Sequence, residues 1–541
     1  MTPQAMHGRS RALCELNERA FEFLLPWINL SEVHRPGALA NMLAGIKSLL
    51  FPEKKMWLFD RLVRATATSE PQPALRFDRR AAGRAVAAAL ANTRLSCDVT
   101  AENGGLAGRQ VVSREIGGAH LAGPVSPSRS PSAGSGVLPT TSSSTTTVGT
   151  DSTQELEEPP MTMFEQLFRS LVKETSDRSQ PPSEDSDAAS AAPLPLARLA
   201  HNAKAFGVTL VGEGASDVGG PYRQVLEDIV AEVQSAALTL LVPTPNASQS
   251  LALDRGKFML NPAPPSAGTL RRLELLGALI GVTLRTRATL PLELANIVWI
   301  ALVGSTPSLR AYARVDKSFV ELVEQVRDNS HPACPDMDEE SFDAVYGDCV
   351  SFTMHRSDGL ASVELVPGGA SVALTYANRK DWCDKVSAYR LHECDVQAAA
   401  LRSGLAEVVP LEALVLFSAE EIERLVCGEP DWSVDALRAR ADVHAADSRA
   451  VGFLWEVLRE MNRDERELFL LFVWGRSRMP AGDTSYRFVV DMQHVRGDPD
   501  QHLPLAATCF FQLHLPSYTT KEACREKLLY AIHNCREMDL A

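Results

Sequence analysis

Three stretches of this 541-residue sequence predict an α+β chain, mostly helical through its middle and closing on a small mixed lobe. "TLRRLELLGALIGVTLRTR" sets Leu273, Leu276, Ile280 and Leu284 on one helical face, and Gly277 and Gly281 let a second helix come close. "SVELVPGGASVALT" alternates about Pro-Gly-Gly and predicts a β-hairpin. From residue 448 the pattern runs helix, helix, alternating strand, loop, strand and closing helix, which is the small α/β lobe.

In chain order, residues 16–64 carry helical periodicity, with Ser31 of "INLSE" as the expected helix cap. An Ala/Arg-rich helix follows at "DRRAAGRAVAAALANTR", completing a helical N-terminal region, 1–122. The Ser/Thr/Pro/Gly run over 123–160 has too little apolar surface to offset chain entropy and reads as a disordered insertion. Residues 161–199 hold one short helix, "MTMFEQLFRSLV", and a disordered acidic linker. Beyond 200 no comparable break occurs. "VDKSFVELVEQVRDN" is amphipathic through Phe319, Leu322, Val323 and Val326, and "SAEEIERLVCGEPDW" opens on a capping box, Ser418 with Glu421, and stops at Gly428.

Bulk properties narrow the chemistry. A formal charge of -14 sets the mean field against a polyanion, so no nucleic acid is expected as a partner. The apolar run "LANIVWIALVG" is too short for a membrane span. Ten scattered cysteines without Cys-x-x-Cys spacing predict free thiols in a reducing, cytoplasmic setting. His331 with Cys334, and His392 with Cys394, are metal-ligand types that lack a second pair, so no metal is expected. "GEGASDVGGPYR" lacks the Gly-Lys-Ser/Thr ending of a phosphate loop and reads as a glycine turn entering a helix.

One thiol stands out. In "LPLAATCFFQLHLPSYTT", Cys509 falls where a polar loop meets an apolar strand, sharing a face with Phe511, Leu513 and Leu515. Local sequence favours a packed cysteine over a reactive one. A nucleophile could draw on the Thr508 hydroxyl at a developing oxyanion. A hydrolase would need a base from His494, His502 or His514, whereas thioester exchange between matched thiols would not.

Taken together, "GEGASDVGGPYR", "LNPAP", "LLGALIGVTLR", "ELVPGG", "RLHE", "LFLLFVWGRSRMP" and the Cys509 segment resemble, in order and spacing, a HECT-type ubiquitin-protein ligase over about residues 200–541. "TCFFQLHLP", "YAIHNC" and "LPWINLSEV" are most similar to the HERC-like subgroup, whose usual β-propeller repeats this sequence lacks, which implies a short member or a C-terminal portion. The resemblance implies a bilobal HECT domain: an N-lobe over 200–428 with a docking subdomain near 313–375, a hinge over 429–447, and a C-lobe over 448–541. It implies that Cys509, supported by Thr508, carries ubiquitin as a thioester from a conjugating enzyme to a lysine of a protein substrate, without metal or organic cofactor. Phe319, Leu322, Val323 and Val326 are the residues implied to bind the conjugating enzyme. The other class of reading is an adaptor that binds the conjugating enzyme or clients but transfers poorly. Three departures stand out: Ala506 and Ala507 where many members place a histidine, Met538 where the tail usually has phenylalanine, and Gly482-Asp483 for Gly-Phe.

Overall fold

The computed structural model describes residues 3–103, 161–176, 194–212, 220–248, 256–331, 337–347, 349–429, 431–444, 448–481 and 486–534. The expected insertion over 123–160, most of the acidic linker, Cys334, Gly482-Asp483 and Met538 lie outside these residues. Met1–Ala89 and Met161–Ala541 make one compact unit, treated below. Leu90–Pro160 makes a second unit, of which only the end of one helix is described.

The main helices in chain order are α1 (Pro3–Arg19), α2 (Leu39–Gly45), α3 (Pro52–Ala65), α4 (Arg79–Asn103), α5 (Met163–Ser176), α6 (Gly220–Val233), α7 (Ala267–Thr286) and α8 (Asn296–Leu302). They continue with α9 (Lys317–Asp328), α10 (Arg379–His392), α11 (Asp395–Val408), α12 (Ala419–Cys427), α13 (Val434–Ala439), α14 (Arg449–Glu460), α15 (Arg463–Trp474) and α16 (Lys521–Asn534). Among the described residues, three two-stranded ladders lie outside the C-terminal sheet. β1 (Ala74–Phe77) pairs parallel with β2 (Gly207–Leu210), β3 (Leu241–Pro243) antiparallel with β4 (Phe258–Leu260), and β5 (Thr353–His355) antiparallel with β6 (Ser362–Glu364). The one larger sheet among the described residues is C-terminal, in the order β7 (Ala441–Val443), β8 (Phe488–Gln493), β10 (Gln512–Pro516), β9 (Leu505–Ala507).

Burial separates the cores. The main core runs from Phe59 to Cys427 and centres on α7, which is buried on every side rather than along one stripe. Its closest neighbour is α11. A Cβ on Gly277 would overlap the Leu401 carbonyl oxygen, and one on Gly404 would overlap the Glu274 carbonyl oxygen, so the two backbones touch through glycines contributed by both helices. Gly404 is the half of this contact that no sequence pattern marks. The capping box at α12 is present as expected, with Ser418 Oγ accepting from the Glu421 amide and Glu421 accepting from the Ser418 amide.

Four expectations need correction. Ser31 is not the cap near residue 30: Asn29 Oδ1 accepts from the Ser31 amide. The Pro-Gly-Gly turn does not close a hairpin with the residues after it, because β6 pairs backwards with β5 while Gly368 turns left-handed into a short 3-10 segment. The main core does not start at 200, since α5 and β1 enter it; Glu232 on α6 accepts from the Met163 and Phe164 amides, and Arg272 pairs with Glu165. Most of 429–447, expected as a hinge, is packed: Trp432, Val434 and Leu437 are buried in the C-terminal core and β7 is in its sheet, leaving Gly428–Asp431 between the cores. In each case a partner distant in sequence decides the outcome.

The N-terminal helices are braced against the main core. Leu416 shares a cluster with Leu25, Leu30, Leu43 and Leu58. Lys55, 2% exposed, donates to both carboxylate oxygens of Glu421 at 2.8 Å. Arg285 of α7 reaches the Val63 carbonyl at 2.6 Å and the Thr66 hydroxyl at 2.8 Å.

Candidate active site at the β9–β10 hairpin

Register places Cys509 at the tip of a hairpin. Ala507 faces Gln512 and Ala506 faces Leu513, so Thr508–Phe511 form a four-residue connection. Thr508–Phe510 make a 3-10 turn and Phe511 follows at φ 52 ψ 53. A left-handed phenylalanine is costly, and its ring gives the compensation: it stacks on Trp474 at 4.1 Å and packs on Phe488 at 4.9 Å, 2% exposed. This corrects the expectation that Cys509 sits on the strand. The strand begins at Gln512, and Phe511 enters the core by a reversal of the chain, whereas Leu513 and Leu515 enter by alternation.

The turn is flanked by exposed apolar residues, Leu505 and Phe510, the latter 67% exposed. Thr508, Ala506 and Ala507 are half-buried. Arg223 of α6 donates from Nη1 to the Thr508 carbonyl oxygen at 3.2 Å. This bond links the main core to the residue before Cys509, and nothing in the sequence pattern announced it.

Four other thiols are held in packed surroundings. Burial pushes Cys383 up to about 11 and Cys394 and Cys524 up to about 12, and raises Cys427 further, so all four stay protonated at neutral pH. Of the histidines a hydrolase would need, His502 donates from Nε2 to the Arg496 carbonyl at 3.1 Å, His494 is exposed, and His514 faces Leu505 across the ladder.

The other site residues fall elsewhere. Phe319, Val323 and Val326 on α9 are 5%, 1% and 0% exposed, and they form a satellite core with Phe342, Phe352 and Trp382; Leu322 is half-buried at its edge. The first three therefore hold the subdomain together and are not available to touch a partner. That core also needs α10, beyond the expected limit of 375. No helix among the described residues is long and apolar enough to cross a membrane.

The HECT-domain (ubiquitin-transferase) family matches residues 228–541, more than half of the chain. E3 ubiquitin-protein ligase HERC2 of Mus musculus is 36% identical over 337 residues, covering 61% of this chain and 7% of its own length. The Homo sapiens protein of that name is 35% identical over the same span, and Probable E3 ubiquitin-protein ligase HECTD4 of Homo sapiens is 27% identical over 358 residues, 61% of this chain and 9% of its own. The chain thus spans less than a tenth of the length of these relatives. With the hairpin tip, its cysteine and helices α7–α16 all inside the matched span, the chain belongs to the HECT-domain family.

Proposed function

We propose that the chain is a ubiquitin-protein ligase whose Cys509 accepts ubiquitin from a conjugating enzyme and passes it to a lysine of a protein substrate. The observation that carries this reading is the position of Cys509 within the family-matched region, in a tight turn between β9 and β10 with exposed apolar flanks. In the first step the Cys509 thiolate attacks the carbonyl carbon of the enzyme-bound ubiquitin thioester; a new C–S bond forms and the conjugating enzyme's thiolate leaves. In the second, a neutral lysine amine attacks the Cys509 thioester, an amide C–N bond forms, the Cys509 thiolate leaves and the amine loses a proton. Both steps exchange acyl groups between activated and nucleophilic atoms, so the chain's own part is positioning, with the Thr508 hydroxyl beside the developing oxyanion.

The assignment of lobes follows the two cores: Phe59–Cys427 with its satellite for the N-lobe, Trp432–Ile532 for the C-lobe, and Gly428–Asp431 as the pivot. The satellite core is the proposed platform for the conjugating enzyme, through surfaces other than its buried α9 valines. The free state of Cys14, Cys349, Cys383, Cys394, Cys427 and Cys524 supports a cytoplasmic setting. Incubation with activating enzyme, conjugating enzyme and ubiquitin should give an adduct that a thiol reductant removes and that Cys509→Ala cannot form. A protein that binds the conjugating enzyme yet forms no adduct would be the adaptor instead.

A further inference from the structure

We propose that Arg223 is a positioning residue for this chemistry: from the N-lobe it clasps the Thr508 carbonyl and sets the Cys509 turn against helix α6. The inference rests on the ligase reading and adds to it a residue from outside the lobe that bears the cysteine.

Two of the restraints described here on the turn are internal to the C-lobe. Below it, Phe511 is stacked on Trp474; behind it, Ala506 and Ala507 pair with β10. The alanine side chains carry no polar atom, so the C-lobe's own flank before Thr508 offers the turn no side-chain donor. The third restraint is the Arg223 guanidinium at 3.2 Å from the Thr508 oxygen. Gly475 sits between them: a Cβ there would lie 3.9 Å from the Arg223 Cβ and 4.0 Å from the Thr508 Cβ, so α6, the end of α15 and the turn converge on one point.

The same face of α6 holds the C-lobe a second time. Glu227, one turn on from Arg223, accepts from the Ser477 amide at 3.0 Å and from its hydroxyl at 3.2 Å. Next to it, Arg478 pairs with Glu293, and Met479 exchanges backbone bonds with Glu429 at 2.7 and 3.3 Å. Those bonds fix residues 477–479 close to the pivot, where they hold the lobe. The Arg223 bond reaches the cysteine's own turn. Removing it should therefore loosen the turn while the lobe stays docked.

Loading and discharge place opposite demands on this bond. Discharge in the docked arrangement uses the turn as Arg223 sets it. Loading brings Cys509 to an enzyme seated on the satellite subdomain, while the bonds described here run to Arg223, Glu227, Glu293 and Glu429, so the turn must leave Arg223 first.

The test compares Arg223→Ala, Arg223→Gln and Arg223→Lys in the full chain. Preformed ubiquitin adduct is discharged onto free lysine in single turnover, loading is timed separately, and hydrogen exchange is read at the amides of residues 508–512. Loss of one charge-assisted bond predicts discharge slowed about tenfold in Arg223→Ala, loading changed less than about twofold, and discharge largely restored in Arg223→Lys, which keeps a cationic donor. Arg223→Gln, a neutral donor, should fall between. Exchange at 508–512 should rise most in Arg223→Ala and less in Arg223→Gln, with the melting curve of the chain unmoved. Unchanged discharge with unchanged exchange overturns the proposal, as does an Arg223→Lys variant as slow as Arg223→Ala. If the wild-type protein forms no adduct, the ligase reading fails while the exchange measurement still decides whether Arg223 orders the turn.

Discussion

Replacing Gly404 by alanine tests the contact on which the main core is built. The new Cβ would overlap the Glu274 carbonyl oxygen and lie 2.7 Å from its Cα, closer than real Cβ atoms come. Carrying the Cβ from 1.7 Å to about 3.2 Å from that oxygen requires α7 and α11 to part by roughly 1.5 Å, and a gap of that size forfeits more than about half of each atom-pair attraction across it. Leu401, Leu405 and Val408 line the seam opposite Gly277 and Gly281. Some ten contacts from each, at roughly 0.15 kcal/mol, lose together on the order of 3 kcal/mol. Local strain adds about 1–2 kcal/mol, and the better helix propensity of alanine returns about 1 kcal/mol. The expected net loss is about 3–4 kcal/mol, read as a lower urea midpoint with unchanged slope. Gly452→Ala in α14 is the control, since its Cβ meets nothing within 4 Å, and it should stabilise by about 0.5–1 kcal/mol. If both substitutions stabilise, the close approach of α7 and α11 is not what the geometry says it is.

Three further outcomes are expected. Lys55→Ala leaves Glu421 with the Ser418 amide as its remaining partner described here; with Glu421 partly exposed the loss should be about 2–3 kcal/mol, and limited trypsin should release residues 20–65 early. Burial pushes Glu232 up to about 7 from the ordinary 4.5, although the Met163 and Phe164 amides pull the other way. The folded state thus holds this proton more tightly, so its contribution is full below pH 4.5 and lost as pH rises to 7, on the order of 2–3 kcal/mol; Glu232→Gln should lack that slope in chemical unfolding across pH. Asn462→Ala removes the capping box that opens α15 and should cost about 1 kcal/mol in the same assay.

What could be read from the sequence was local. The Ser418–Glu421 cap, α7, α9, α14, α15, β8 and α16 are each specified by residues within a few turns of one another, and they fall where periodicity put them. Pairings across the chain were not legible: β1 with β2, β5 rather than the following segment with β6, and Gly404 against Glu274 all join residues whose own neighbourhoods look neutral. The cysteine was visible as a residue and as part of an ordered set of motifs. Its setting was not, because a left-handed Phe511 carries no sequence mark and Arg223 lies 285 positions from Thr508.

The brace between Lys55 and Glu421 joins residues 366 positions apart, which has a consequence for biosynthesis. At roughly 5–20 residues per second, a ribosome needs on the order of 20–70 s to make the second residue after the first. Throughout that interval Leu25, Leu43 and Leu58 have no Leu416 to pack on, while β1 waits for β2 only for its early part. The nascent N-terminal helices are therefore natural clients of holding chaperones, and they reach their final state only once Leu416 and Glu421 have emerged.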